Sequence, residues 1–302
     1  LLFVLFINDL PERFANGCKL YADDSKIIAI IKDAASAWSL QSDINALTSW
    51  CNEWLMRLNV KKCKVVHFGQ SESEWNEYSM EDLTVSKRVP LEVSICERDL
   101  GVHISSDLRW KTHIDHIAAK ANRVLGMLTK MFRSRDTGLR KMLYTSLVRP
   151  HLEFASTVWN PYLKGDIETL ERIQRRASKI PVHLRNLPYH VRLSRWDLTT
   201  LELRRSRGDL IQMFKVLNEI EVLDWYTGSR FAPMTQTRSA TNNCLRLMRE
   251  SFPSKACNDF GHFVLARHEF FLNRVTEYWN GLSSYQILAN STNGFKARLD
   301  SP

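Results

Sequence analysis

The sequence predicts an α+β chain, with short strands gathered in its first third and helices filling the remainder. Three observations carry that expectation. Before residue 110, short apolar runs rich in β-forming side chains alternate with turn-forming residues. After Thr112, apolar residues recur at the three-and-four spacing of amphipathic helices. The composition is 44% hydrophobic and 25% charged over 302 residues, enough apolar material for real cores. That excludes a disordered, collagen-like or disulfide-scaffold protein.

Leu1 to Leu10 reads as the last turns of a buried helix whose beginning is missing, stopped by Pro11. Cys18–Tyr21 and Lys26–Ile31 then flank Ala22-Asp23-Asp24-Ser25, a hairpin pattern with aspartates at the turn. From Asp33 a long helix is expected, because Ala37, Leu40, Ile44, Leu47, Cys51, Trp54 and Leu58 form one stripe. Trp38, Trp50 and Trp54 are read as core. Lys64–Phe68 reads as a strand and Ser71–Asp82 as a solvated loop without chemistry. Further strands are expected at Leu83–Val85, Leu91–Ile95 and Leu100–Ile104.

Helices follow. Ile114, Ile117, Ala121, Leu125 and Leu128 mark one. Leu139, Leu143 and Leu147 mark a second, ended by Pro150. Asp166 is expected to cap a third, with Ile167, Leu170, Ile173, Ala177 and Ile180 as its stripe. A fourth covers Leu201–Leu217. Trp225 to Asn243 is the most linker-like stretch.

The net charge of +9 is unevenly spread. Residues 1–100 carry 11 basic against 15 acidic side chains, residues 101–215 carry 22 against 10, and the rest 9 against 8. A basic middle block is consistent with a polyanionic partner, nucleic acid above all, or with a soluble Arg-rich helical domain. Six irregularly spaced cysteines and no export signal point to reduced thiols in the nucleus or cytoplasm, with no disulfide partner. Cys244, Cys257, His262 and His268 lack the tight cysteine pair that usually opens a structural zinc site. His113 and His116 lie one helical turn apart without a convincing third ligand. No apolar run approaches the roughly 18–20 residues of a membrane span.

The sharpest chemical signal is Tyr21-Ala22-Asp23-Asp24. Adjacent carboxylates at a hairpin tip offer hard oxygens to divalent cations such as Mg²⁺. Most Asp-Asp pairs are simply turn residues, but here β-formers flank the pair, a long amphipathic helix follows, and Asn59-Val60-Lys61-Lys62-Cys63-Lys64 comes next.

In this combination and order the chain resembles the reverse transcriptases of non-LTR retrotransposons of the jockey-like kind. Leu1 to Pro11 is similar to the helix after their nucleotide-contacting segment, Tyr21–Asp24 to their catalytic hairpin, and Asn59–Phe68 to the next segment. Asp99-Leu100-Gly101-Val102 resembles the start of the primer grip. Leu147–Pro150, Trp159-Asn160-Pro161, Arg175-Arg176-Ala177, Arg207–Leu210, Tyr278–Leu282 and Phe295–Leu299 extend the resemblance to the tail, where Gly281 and Ser283-Ser284-Tyr285 depart from a common Leu-Pro step.

The resemblance implies a partial polymerase palm over 1–110, built of the hairpin, a short antiparallel sheet and a packed helix. A basic all-α thumb-like domain over 111–224, a linker over 225–243 and a small C-terminal tail domain over 244–302 would follow. It implies Asp23 and Asp24 as metal ligands for two Mg²⁺ ions in the intact enzyme, and Lys62 as the lysine near the incoming dNTP and a proton donor to pyrophosphate. Tyr21, Leu100, Gly101, Arg172, Arg175, Arg176 and Lys179 would contact an RNA template and DNA primer. The family's third metal-binding carboxylate and fingers lie upstream of Leu1, so the chain alone is expected to be inactive. Two rivals stand beside this reading: a non-catalytic nucleic-acid-binding module with a vestigial hairpin, and a metal-dependent nuclease, which would need a larger acidic cluster.

Overall fold

A short helix and a long capped one frame the first part of the chain. In this computed structural model, which describes residues 2–69, 75–82, 87–134, 136–223, 245–250 and 266–301, the chain divides into two compact units, 1–97 and 98–302. The first division thus falls at residue 97 rather than 110. The expected linker at 225–243 and the Leu83–Val85 strand lie outside the described residues.

In the first unit, α1 (Leu2–Ile7) buries Ile7, while Phe3 and Leu5 are exposed, so the opening helix is not the fully buried one expected. The hairpin strands β1 (Gly17–Tyr21) and β2 (Asp24–Ile28) pair antiparallel, Gly17 opposite Ile28 and Tyr21 opposite Asp24. Helix α2 (Ala34–Glu53) starts at a reciprocal cap. The Asp33 carboxylate accepts from the Ser36 amide at 2.8 Å, and the Asp33 amide donates to the Ser36 hydroxyl at 3.0 Å. The helix stops at Glu53, not Leu58, because Leu55 turns left-handed at φ 55°. Trp54 therefore falls beyond the helix and is 42% exposed. Trp38 is 75% exposed on the outer face, and of the three tryptophans only Trp50 is core.

Helix α2 packs on two sides. Trp50 and Cys51 join Ile7 and Leu10 in one cluster, with Leu20 of β1 against it. Ile44 joins Val60, Tyr78 and Met80 in another. Tyr78 and Met80 correct the solvated-loop expectation for this stretch: β4 (Ser79–Asp82) pairs antiparallel with β5 (Lys87–Pro90). The Gln41 side chain holds β4 by its backbone, accepting from the Ser79 amide at 2.9 Å and donating to its carbonyl at 2.8 Å. The Lys64–Phe68 and Leu91–Ile95 strands shrink to β3 (Lys64–Val65) and β6 (Glu92–Val93), which pair parallel.

Where the chain passes into the second unit, β7 (Cys96–Asp99) and β8 (Val102–Ser105) form a hairpin whose two turn residues, Leu100 and Gly101, have φ 44° and 94°. The strand expected over Leu100–Ile104 thus starts at Val102, because Leu100 and Gly101 form the turn. Helix α3 (Lys111–Met131) buries the whole predicted stripe. Pro150 does not end the next helix. Helix α4 (Thr137–Leu143) passes through a π-helical turn at Tyr144–Val148 into α5 (Arg149–Glu153), where Pro150 needs no donor. The wider turn rotates the buried face onto Tyr144, Val148 and Leu152 and leaves the predicted Leu147 46% exposed.

After α6 (Ser156–Trp159), helix α7 (Lys164–Ala177) is preceded by Leu163 as its cap residue; Asp166 lies buried in the first turn instead. Helices α8 (Tyr189–Trp196) and α9 (Leu201–Leu217) follow, the latter with its predicted bounds. The first half of α9 closes a core with α3, α5 and α7. Its second half, through Met213 and Phe214, shares a second core with Val275 and Trp279 of the Phe271–Asn280 helix and with Phe295. The C-terminal helices are therefore continuous with the helical unit.

One polar node joins these pieces. Asp209 of α9, 3% exposed, accepts from Arg274 Nε at 2.8 Å and Nη2 at 2.9 Å, and from Asn160 at 3.1 Å. Asn160 in turn accepts from Arg205 Nε at 2.9 Å. Removing one partner of such a pair strands a buried charge, which costs about 3–5 kcal/mol. Arg274→Met is expected to destabilise the chain by that amount in urea titrations followed by tryptophan fluorescence. The double change Arg274→Met/Asp209→Leu is expected to cost less than the single one. Equal or larger loss in the double variant would show that the pair is not what Asp209 is buried for.

Candidate functional site

The hairpin brings Asp23 and Asp24 together as expected, and the register fixes how. Tyr21 pairs with Asp24, so the turn is two residues long, Ala22-Asp23, and Asp24 opens β2. Ala22 sits at φ 51°, the left-handed value that two-residue hairpin turns demand and that glycine usually supplies. Strand alternation puts Cys18, Leu20 and Ile27 on the half-buried face, and Tyr21 and Asp24 on the outer one. Tyr21 is 64% exposed, and both aspartates are exposed. Neither carboxylate engages a hydrogen bond or ion pair among the described residues.

An aspartate that sequence reasoning missed anchors this hairpin. Asp43 of α2, 3% exposed, accepts from the Ala15 amide at 2.9 Å, the Asn16 amide at 2.9 Å and the Asn16 side chain at 2.8 Å. Its oxygens are saturated by the segment entering β1, so it positions the tip and does not reach it. The spacing of α2 offered a signal, since an aspartate beside the apolar stripe is costly unless bonded. Asp23 and Asp24 fit a hard cation by donor type. Among the described residues, however, no three His, Cys, Asp or Glu side chains converge to hold a metal. Cys244, Cys257 and His262 lie outside the described residues.

Lys62 stands apart from the tip on a short 3₁₀ turn, Val60–Lys62, with its side chain exposed. Leu100 and Gly101 form the β7–β8 turn; a Cβ on Gly101 would meet the Phe154 ring at 3.2 Å, so the turn lies close against α5's end. The four predicted basic residues of α7 are not equivalent. Arg172, Arg176 and Lys179 are exposed. Arg175 is half-exposed but already engaged: it donates to Glu168 at 2.6 Å, and its guanidinium lies 5.0 Å from the Tyr189 ring centre. Arg176 donates to Asn122 at 3.3 Å and stays on the outer face. The inner face of α7 is pinned by Glu171, which accepts from Tyr189 and from the Leu201 amide at 3.0 Å, and by Gln174, which accepts from Tyr144 at 2.8 Å.

His113 and His116 are joined by His103 rather than by a metal ligand set. The His103–His116 ring centres are 4.6 Å apart, and the His103 amide donates to His113 Nδ1 at 3.2 Å. His113 is 1% exposed against Trp159. Burial, reinforced by His103 and His116, lowers its pKa to about 4.

No protein-family model and no solved structure matches this chain. The RNA-directed DNA polymerase from mobile element jockey of Drosophila melanogaster is 22% identical over 173 residues, covering 55% of this chain and 18% of that protein. The matched segment thus spans under a fifth of that relative's length. The chain is distantly similar to a reverse transcriptase. No helix among the described residues is long and apolar enough to cross a membrane, and Cys18, Cys51, Cys63 and Cys96 form no disulfide.

The His113 environment yields a pH prediction. Unfolded, this histidine takes up a proton below about 6.5; folded, it resists until about 4. The unfolded state then binds more protons across that window, so stability is full above it and falls as pH drops through it, by up to about 3 kcal/mol. Urea midpoints measured from pH 7 to 4.5 should fall less steeply in His113→Gln than in the wild type. Parallel profiles would remove His113 from the acid response.

Proposed function

We propose that this chain is part of an RNA-directed DNA polymerase, its hairpin carrying two of the metal-binding carboxylates and its helical unit gripping the backbone of a primer–template duplex. One observation carries the reading: Asp23 and Asp24 stand together, exposed, on a strand–turn–strand whose register is tied down by Asp43, in a chain distantly similar to the jockey polymerase. In such an enzyme Mg²⁺ activates a primer 3′ oxygen toward the α-phosphate of a dNTP and steadies the leaving pyrophosphate. Asp23 and Asp24 would hold it, and Lys62, exposed in the same unit, would supply a proton to the leaving group. Tyr21, beside Asp24 on the outer face, would contact the primer, and the Leu100-Gly101 turn would contact nucleic acid in its own unit. Arg172, Arg176 and Lys179 would meet phosphates without reading bases.

Two carboxylates leave a two-ion site short of ligands, and that favours a second reading, in which the chain binds nucleic acid without turning it over. Primer extension separates the two. On an RNA template with Mg²⁺ and dNTPs, this 302-residue chain is expected to add no nucleotides. Extension that vanishes in Asp23→Ala would show a complete site within it.

Backbone binding makes its own prediction. Each neutralised phosphate releases counterions, giving a log–log salt slope of roughly −0.9 per contact on a duplex. Arg172→Gln/Arg176→Gln/Lys179→Gln should flatten the slope by about two to three units, without altering sequence preference. Arg175→Gln, which removes a guanidinium already paired with Glu168, should leave the slope nearly as it is. Filter binding at four salt concentrations checks both; an unchanged slope in the triple variant would reduce the stripe to a solvated helix face.

A further inference from the structure

Beyond the outer face of α7, the C-terminal ends of α3 and α7 and the turn before α8 enclose a pocket of about 490 Å³, large enough for one nucleotide. Five of its lining residues are cations, Arg133, Arg140, Arg176, Lys179 and Arg185, and none is acidic. The remainder is mostly apolar, supplied by Phe132, Ile180 and Val182.

The cations divide by role. Arg140 is 4% exposed and donates to the carbonyls of Ser134 at 2.9 Å, Leu128 at 3.3 Å and Phe132, so it holds the end of α3 in shape. Arg133 and Arg185 are exposed, and their guanidinium groups engage no hydrogen bond or ion pair among the described residues. Like charges crowded around one concavity repel each other, and an anion relieves that repulsion. An inorganic anion would use the cations alone. The apolar part of the lining, Phe132, Ile180 and Val182, suits an anion that carries a flat, weakly polar group, which is what a nucleotide is.

We infer that this pocket takes one nucleotide of a single strand, its phosphates on the basic side chains and its base on the apolar lining. The inference rests on the nucleic-acid-binding reading above and adds to it. Arg176 and Lys179 line the pocket and also continue the exposed face that begins at Arg172, so a strand leaving the duplex along that face runs into it. Guanidinium groups also pair phosphate oxygens in a fork and stack on bases, which lysines do less well.

Fluorescence anisotropy on the full 302-residue chain tests this, with a short single-stranded RNA, a blunt RNA–DNA duplex and ATP as competitor. Arg133→Gln/Arg185→Gln should weaken single-strand binding about tenfold and flatten its salt slope by about 1.4 units, at roughly −0.7 per contact. Duplex affinity and the melting temperature should hold, since both side chains are exposed. An abasic strand of equal length and charge should bind the wild type several-fold more weakly than the RNA. Unchanged single-strand binding in the double variant overturns the pocket while leaving the duplex reading intact. Equal binding of the abasic strand removes the base from the apolar lining. ATP competing as well as an equal concentration of RNA nucleotides would make the occupant a free nucleotide, contrary to the inference. Salt-independent binding of every probe by the wild type would overturn the broader reading along with it.

Discussion

The buried carboxylate of Asp209 takes both arms of Arg274 and the side chain of Asn160, and the helical unit is organised around that contact. Asp209 sits on α9, Arg274 on the Phe271–Asn280 helix, and Asn160 just after α6. A charge that deep is tolerated only with its partners in place. Those three elements are therefore held in one arrangement, which a purely apolar contact would specify less sharply. Trp159 and Trp279 follow the same logic, each fully buried with its indole N–H donated to a backbone carbonyl, Phe154 at 2.7 Å and Leu245 at 2.9 Å. The segments Trp159-Asn160-Pro161, Arg207–Leu210 and Tyr278–Leu282 thus supply residues that hold the fold together.

With those residues occupied in the interior, the positive charge left for a partner lies elsewhere. Glu171 and Gln174 lock one face of α7 to Tyr144, Tyr189 and the start of α9. The opposite face keeps Arg172, Arg176 and Lys179 in solvent. In the first unit the division is the same: Asp43 is consumed in holding the hairpin, and Asp23 and Asp24 are left at its tip. In both units a saturated carboxylate inside fixes the geometry of charged groups outside.

Much of this was legible in the sequence, for reasons that are local. The α2 start, the α3 stripe and the bounds of α9 follow from caps and a 3.6-residue period, and the hairpin from its turn residues. What escaped was whatever depends on a distant partner. Tyr78 and Met80 lie in a polar stretch and are buried because Gln41 grips the backbone beside them. The π turn at Tyr144–Val148 shifts a stripe by one residue, which no window of fixed period detects. Arg172 and Arg175 look alike in a basic run, and only Glu168 and Tyr189 tell them apart. The pocket cations Arg133 and Arg185 are 52 positions apart in the chain, and sequence proximity never joins them.

The claim on which this account turns is that nucleic acid meets the outer face of α7 while the interior arginines serve the fold. Chemical footprinting of arginine and lysine side chains, with and without an RNA–DNA duplex, tests it most directly. The account predicts that the duplex protects Arg172, Arg176 and Lys179, while Arg205 and Arg274 stay unreactive in both states. Protection confined to residues 1–97, or reactivity of Arg172, Arg176 and Lys179 unchanged by a bound duplex, would contradict it.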